Sequence, residues 1–145
     1  MRACGPFHDG IGGVVELAGV AVVRPDAALW ASALEAFRDG LAMAVGLYVD
    51  PAALPPGRDV FELAPSAIVG VEVAGRGLHG RSHGAGRGDW RIVADWWFAP
   101  FPDDRDGATV VLGWPERGLP VTRFPLPAGA LSAAAARAHT VRGPA

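Results

Sequence analysis

Trp90 to Phe124 reads W-R-I-V-A-D-W-W-F-A-P-F-P-D-D-R-D-G-A-T-V-V-L-G-W-P-E-R-G-L-P-V-T-R-F. It holds four of the chain's five tryptophans and its densest β-branched and aromatic run. The polar cluster Asp103 to Gly107 separates two apolar runs, and Gly or Pro bounds both ends. The stretch therefore predicts two antiparallel strands, with a third, short one at Val121 to Phe124 that ends in Pro125 to Pro127. Within a regular strand from Trp90 to Phe98, side chains alternate between faces. Trp90, Ile92, Ala94, Trp96 and Phe98 then share one apolar face, the expected core. Arg91, Val93, Asp95 and Trp97 share the other, where a large aromatic stands among charges. Aromatics in polar surroundings are enriched at interface centres, so Arg91, Asp95 and Trp97 are candidate partner-binding residues, with Trp97 as anchor. The competing expectation is that an alanine-rich helix at the C-terminus covers Trp97.

Upstream, Ala28 to Val49 is ambiguous. Leu29, Ala33, Phe37 and Leu41 fall at helical spacing, and Ala, Leu and Glu favour a helix. Against that, Leu41, Met43, Val45, Leu47 and Val49 alternate with smaller residues, and Asp39-Gly40 is a strong hairpin turn signal. A β-hairpin over residues 29–49, turning at Arg38 to Gly40, is the better reading. Val14 to Pro25 is β-branched and nearly all apolar, which predicts one strand buried on both faces. Asp50 to Pro65 carries Pro51, Pro55, Pro56, Pro65 and Gly57, so it predicts a long loop with a short pairing near Val60 to Leu63. Ile68 to Ala74 predicts a strand with Val69, Val71 and Val73 on one face and Glu72 on the other. Gly75 to Gly88, G-R-G-L-H-G-R-S-H-G-A-G-R-G, predicts a flexible loop. Ala130 to His139 predicts a helix with few large apolar residues beyond Leu131.

Length and composition narrow the function. A chain of 145 residues fits one domain able to bury about 70% of its unfolded surface. Half the residues are apolar and 19% charged, which favours a packed core over disorder. All thirteen basic residues are arginine, with no Lys, Asn or Gln, a bias of the kind a GC-rich genome produces. A net charge of −2 and scattered arginines give no field for nucleic acid. No secretory leader and no long apolar span are legible, so no membrane association and a cytoplasmic location are expected. The lone Cys4 reads as a free thiol in a terminal tail.

Candidate chemistry is sparse. Asp103, Asp104 and Asp106 lack the frame of a calcium loop and read as a solvated turn whose carboxylates bond their own backbone. His79 and His83 have i, i+4 spacing, but the surrounding glycines deny the helix that would align them, even with His8 or Cys4 as further ligands. No metal or other cofactor is expected. The glycine-rich stretch lacks the Lys of a P-loop and the strand-to-helix turn of a dinucleotide fingerprint. None of Ser32, Ser66, Ser82 and Ser132 lies in a nucleophile elbow, and only Ser82 neighbours histidines. The carboxylate pairs Glu62 with Glu72 and Asp95 with Glu116 could be brought together only by the fold.

At D-W-W-F-A-P-F-P (Asp95 to Pro102), G-W-P-E-R-G-L-P-V-T-R (Gly113 to Arg123) and L-S-A-A-A-A-R-A, the chain resembles a family of small uncharacterised actinobacterial proteins. Their pattern is a glycine-rich loop, an aromatic pair running into W-P-L-P, a strand ending E-W-P, then G-I-P-E-T-R and an alanine-rich helix. The segment L-E-A-F-R-D-G-L-A-M-A is similar to that family's hairpin L-R-A-Y-x-x-G-F-x-F. The likeness spans about Val14 to His139, implies a β-rich domain and supplies no activity. Ala99 stands where a second tryptophan is usual, Gly113 replaces a usual Glu, and Asp103 to Gly107 is longer and more acidic than the usual turn.

Together these readings predict an all-β fold, an antiparallel β-sandwich of about seven strands with one C-terminal α-helix. It would occupy residues 14–139, between flexible tails at 1–13 and 140–145. The expected function is a non-catalytic protein-interaction or accessory module with an unknown protein partner and no set oligomeric state. The alternative is a small-molecule-binding or enzymatic sandwich that uses Gly75 to Gly88 as a lid over a pocket.

Overall fold

In the computed structural model, which describes residues 10–85 and 91–140, the chain opens with β1 (Gly10–Ile11), β2 (Gly13–Val15) and β3 (Ala21–Arg24). Val14 to Pro25 is thus two short strands in place of one. Gly19 turns the chain between them at φ 69°. Val14 and Val23 are 62% and 70% exposed, so the segment has one solvated face and is not buried on both.

The expected hairpin is the centre of the larger sheet. β4 (Ala27–Ala36) and β5 (Leu41–Val49) pair antiparallel, and the turn closes with the Phe37 N–H donating to the Gly40 carbonyl at 2.9 Å. Leu41, Met43, Val45, Leu47 and Val49 are all buried, as their alternation requires. Helical propensity loses because these side chains need a common inward face.

The proline-rich segment after β5 is compact. Asp50 accepts the Ala52 N–H at 2.9 Å and caps a short 3-10 turn at Pro51–Ala53. Val60–Leu63 forms a helical turn, α1, and not a strand pairing. Asp59 and Glu62 make a reciprocal capping box: the Glu62 N–H donates to Asp59 at 3.0 Å and the Asp59 N–H to Glu62 at 3.1 Å.

Next come β6 (Ile68–Val73), β7 (Arg76–Gly77) and β8 (His79–Ala85). Gly75 to Ala85, expected as loop, is a β6–β7 turn followed by a strand paired with β9 (Arg91–Ala99); residues 86–88 of that expectation lie outside the described residues. β10 (Ala108–Trp114) and β11 (Leu119–Leu126) follow, then α2 (Ala130–Ala135), shorter than the expected helix, and β12 (His139–Thr140). β12 pairs with β1, so paired structure runs from Gly10 to Thr140. The rest of the expected tails lies outside the described residues.

One sheet has the order β2-β4-β5-β9-β8, with β3 also on β4; the other has the order β11-β10-β6-β7. All pairings are antiparallel. Among the described residues, seven strands of six or more residues carry this sandwich: β4, β5, β6, β8, β9, β10 and β11. Its core joins Leu29, Leu34, Val45, Leu47 and Phe98 of the first sheet to Val71, Val110, Leu112 and Trp114 of the second. α2 seals one edge through the buried Leu131 and Ala134, packing on β2 and β4. Gly13 has no room for a side chain there, because a Cβ would lie 1.7 Å from the Ala134 carbonyl oxygen. No helix among the described residues is long and apolar enough to cross a membrane.

Candidate functional site

β9 distributes its side chains as the alternation predicts. Ile92, Ala94 and Phe98 are buried inward, while Arg91, Val93 and Asp95 are exposed. Trp97 faces outward with the last three, yet it is only 2% exposed. It is therefore not an anchor on an open face. Its cover is not the C-terminal helix either. The Phe37–Gly40 turn folds back over it: Phe37 packs at 5.8 Å between ring centroids, and a Cβ on Gly40 would lie 2.5 Å from Trp97 Cζ2. A large apolar residue directly before the Asp39-Gly40 turn was the available signal, but a turn's direction over its sheet is a tertiary property. Arg91 is held too, its guanidinium carbon 5.3 Å from the Trp30 ring centroid. Trp30 itself crosses the position where Gly46 would carry a Cβ, 2.1 Å from the ring. Asp95 stays exposed, so Arg91, Asp95 and Trp97 do not form one accessible aromatic patch.

The other candidates separate. Asp103 behaves as a turn aspartate, accepting the Arg105 N–H at 3.2 Å and pairing with its guanidinium at 2.8 Å. The Arg105 side chain, by hydrogen bonding, holds the Asp103 carboxyl below the usual aspartate range. Asp104 departs from the solvated-turn expectation: it is fully buried and accepts the N–H groups of Leu131 and Ser132 and the Ser132 hydroxyl. Ser66 accepts the Trp114 indole N–H at 2.8 Å and donates to the Leu63 carbonyl at 2.9 Å, a structural tie between α1 and β10. Ser32 donates to the Ala44 carbonyl at 3.3 Å. Glu62 is held by Asp59 and by Arg58 at 3.7 Å, and Glu72 by Arg123 at 3.1 Å. His79 and Ser82 fall on opposite faces of β8, which dissolves their sequence adjacency. No group of three or more metal-ligating side chains occurs among the described residues; Cys4 and His8 lie outside them.

A site that sequence reasoning reached only as an alternative lies between the sheets, at the edge opposite α2. Leu47, Ile92, Ala94 and Trp96 of the first sheet face Val69 of β6 and the Ala64–Ala67 turn across a cleft of about 280 Å³, with Ser82 of β8 at its rim. Among the described residues of that lining, the side-chain polar groups are the Ser82 hydroxyl and the Trp96 indole N–H. Trp96 is half-buried here and stacks on Phe98 at 6.2 Å with the rings 14° apart. Among the described side chains of β8, those that face inward are light. Gly80 lies opposite Phe98, whose ring occupies the place of a Cβ at 2.3 Å, and Ser82 lies opposite Trp96. Gly80, one of the glycines expected to make this segment mobile, instead allows close packing on β9.

Such a cleft can desolvate an apolar group; among the described residues its lining holds one hydroxyl and no titratable side chain. No family model, curated protein or solved structure matches the chain.

Proposed function

We propose that the protein is a non-catalytic binding domain that captures a compact apolar group in the cleft between its sheets. The observation that carries this reading is the apolar lining around Trp96 at the sandwich edge that α2 leaves open. A dry cavity of about 150 Å³ accepts one benzene ring, so about 280 Å³ suits a group of about two rings or two branched side chains. That is at the small end of drug-sized pockets, which span about 300–1,000 Å³. Compared with the two expectations from sequence, a binding role is kept while its location moves from the outer face of β9 to the cleft. The single cysteine of the 145 residues fits a reducing, cytoplasmic setting for that role.

The test is titration with the neutral probe N-phenylnaphthylamine, whose two-ring naphthyl group matches the cleft while its phenyl ring stays at the open mouth, followed by its own emission and by quenching of tryptophan fluorescence. Saturable binding is expected in the micromolar range. Ala67→Leu, which places extra methyl groups in the cleft, should weaken it by about tenfold with little change in the urea midpoint. Absence of saturable binding, or binding indifferent to Ala67→Leu, would overturn the reading.

A further inference from the structure

We propose that the apolar group arrives on an extended peptide of a partner, which adds as a strand to the free edge of β8. This rests on the cleft reading above and names the partner's chemistry.

The edges of the two sheets are not equally open. β11 carries Pro120 and Pro125, which remove donors from its ladder. β2, β3 and β7 have two to four residues each. β8 is seven residues long, contains no proline, and among the described residues pairs only with β9. A register shift between Ser82 and Gly84 limits the regular part to His79–Ser82. Over that span no other strand among the described residues pairs with the outer edge, which could take a further strand about 4.8 Å away.

The two faces of β8 set the side chains such a strand would need. Inward, the Phe98 ring covers Gly80 and Ser82 stands at the mouth of the cleft, so alternate residues of the added strand would lie along Phe98 and project into the space beside Trp96. A four-residue register brings about two inward side chains, which matches a volume of about two ring-sized groups. Outward, Arg81 lies opposite Trp97 and is exposed, and among the described residues it has no acidic partner. His79 is exposed on the same face. The nearest outward carboxylate on β9, Asp95, faces Gly84 beyond the register shift. An incoming strand is therefore matched when apolar residues alternate with acidic ones. Main-chain bonds supply affinity in this mode, and the cleft and Arg81 supply selectivity.

The test uses the intact protein and a capped six-residue peptide that alternates leucine with glutamate. Three measurements are made: calorimetric affinity, the affinity of the same peptide with alternate backbone nitrogens methylated, and hydrogen exchange of the His79–Ser82 amides. Expected are saturable binding, a loss of about tenfold or more on methylation, and slower exchange confined to β8. Arg81→Glu should weaken the glutamate peptide by about tenfold and reverse the preference toward a lysine-containing version. If N-phenylnaphthylamine binds but the peptide does not, or methylation and Arg81→Glu change nothing, the peptide inference fails while the cleft reading stands. If neither probe binds, both fail.

Discussion

The carboxylate of Asp104 accepts the backbone N–H of Leu131 at 2.7 Å, across 27 residues of sequence. Gly129, the residue before α2, sits at φ 74° and has no side chain to cap the helix. Asp104 supplies that cap from a distant turn, and its own carbonyl accepts the N–H groups of Gly107 at 2.8 Å and Gly129 at 2.9 Å. The acidic turn and the alanine-rich helix are thereby one structural unit. Without it, a six-residue helix of mostly alanine would have little to hold it.

Asp104→Ala is expected to lower stability by about 1.5–3 kcal/mol, because it leaves buried N–H donors without an acceptor. Asp104→Asn, which keeps one oxygen, should lose less. Urea midpoints at constant m-value are the readout, and a midpoint unchanged by Asp104→Ala would show that the cap contributes nothing.

The same pair shows what the sequence could and could not disclose. Residues 103–107 are recognisable as a turn from local chemistry alone, and Asp103 behaves accordingly. Which of the adjacent aspartates turns inward depends on where α2 docks, and no spacing encodes that. Alternation placed every described side chain of β9 on its observed face, because period-2 geometry is local. The burial of Trp97 was not legible, since its cover comes from the β4–β5 turn. Asp59 and Glu62 carried a legible capping signal beneath the prolines that pointed to loop. The cleft is a gap between light residues on separate elements, and a gap leaves no motif.

Gly80→Ala tests whether the glycines of β8 serve packing or mobility. A Cβ there would meet Phe98 Cδ1 and Cε1 at 2.3 Å, and Phe98 is 1% exposed, so the ring has little room to move. The substitution should cost about 1–3 kcal/mol and speed amide exchange along β8 and β9. A mobile loop would show the opposite, since alanine would stiffen it. Unchanged or raised stability in thermal unfolding would contradict the packing account.

Glu72 of β6 and Arg123 of β11 bridge across β10, which lies between them, with contacts of 3.1 and 3.2 Å. Hydrogen bonding to Arg123 is the main reason the Glu72 carboxyl is held below the usual glutamate range, with charge attraction adding to it. A folded pKa below the unfolded one means that the stabilisation is present above the unfolded value and lost as pH falls through the folded one. The gap in urea midpoint between the wild type and Glu72→Gln should therefore be present at about pH 7 and shrink as the pH falls below the usual glutamate range. Arg123 is exposed and Glu72 half-buried, so molar salt should shrink the gap at neutral pH. A gap independent of pH would mean that the charge of Glu72 is not what matters.

Trp96 and Trp97 are adjacent, yet their burial is the reverse of what alternation implies for a core face and a solvent face. Trp97, on the outward side, is 2% exposed against Phe37 and Gly40, whereas Trp96, on the inward side, opens to the cleft. Trp97→Ala should therefore leave a true cavity and cost about 3–5 kcal/mol, and it should also loosen the β4–β5 turn that rests on the ring. Trp96→Ala enlarges a space that already exists and gives up a stacking contact with Phe98 worth about 0.5–1.5 kcal/mol, so its cost should be smaller. Its larger consequence should be on binding, with N-phenylnaphthylamine affinity falling while the Trp97 site still packs. Equal destabilisation by the two substitutions would show that Trp96 is an ordinary core residue and that the cleft closes in solution.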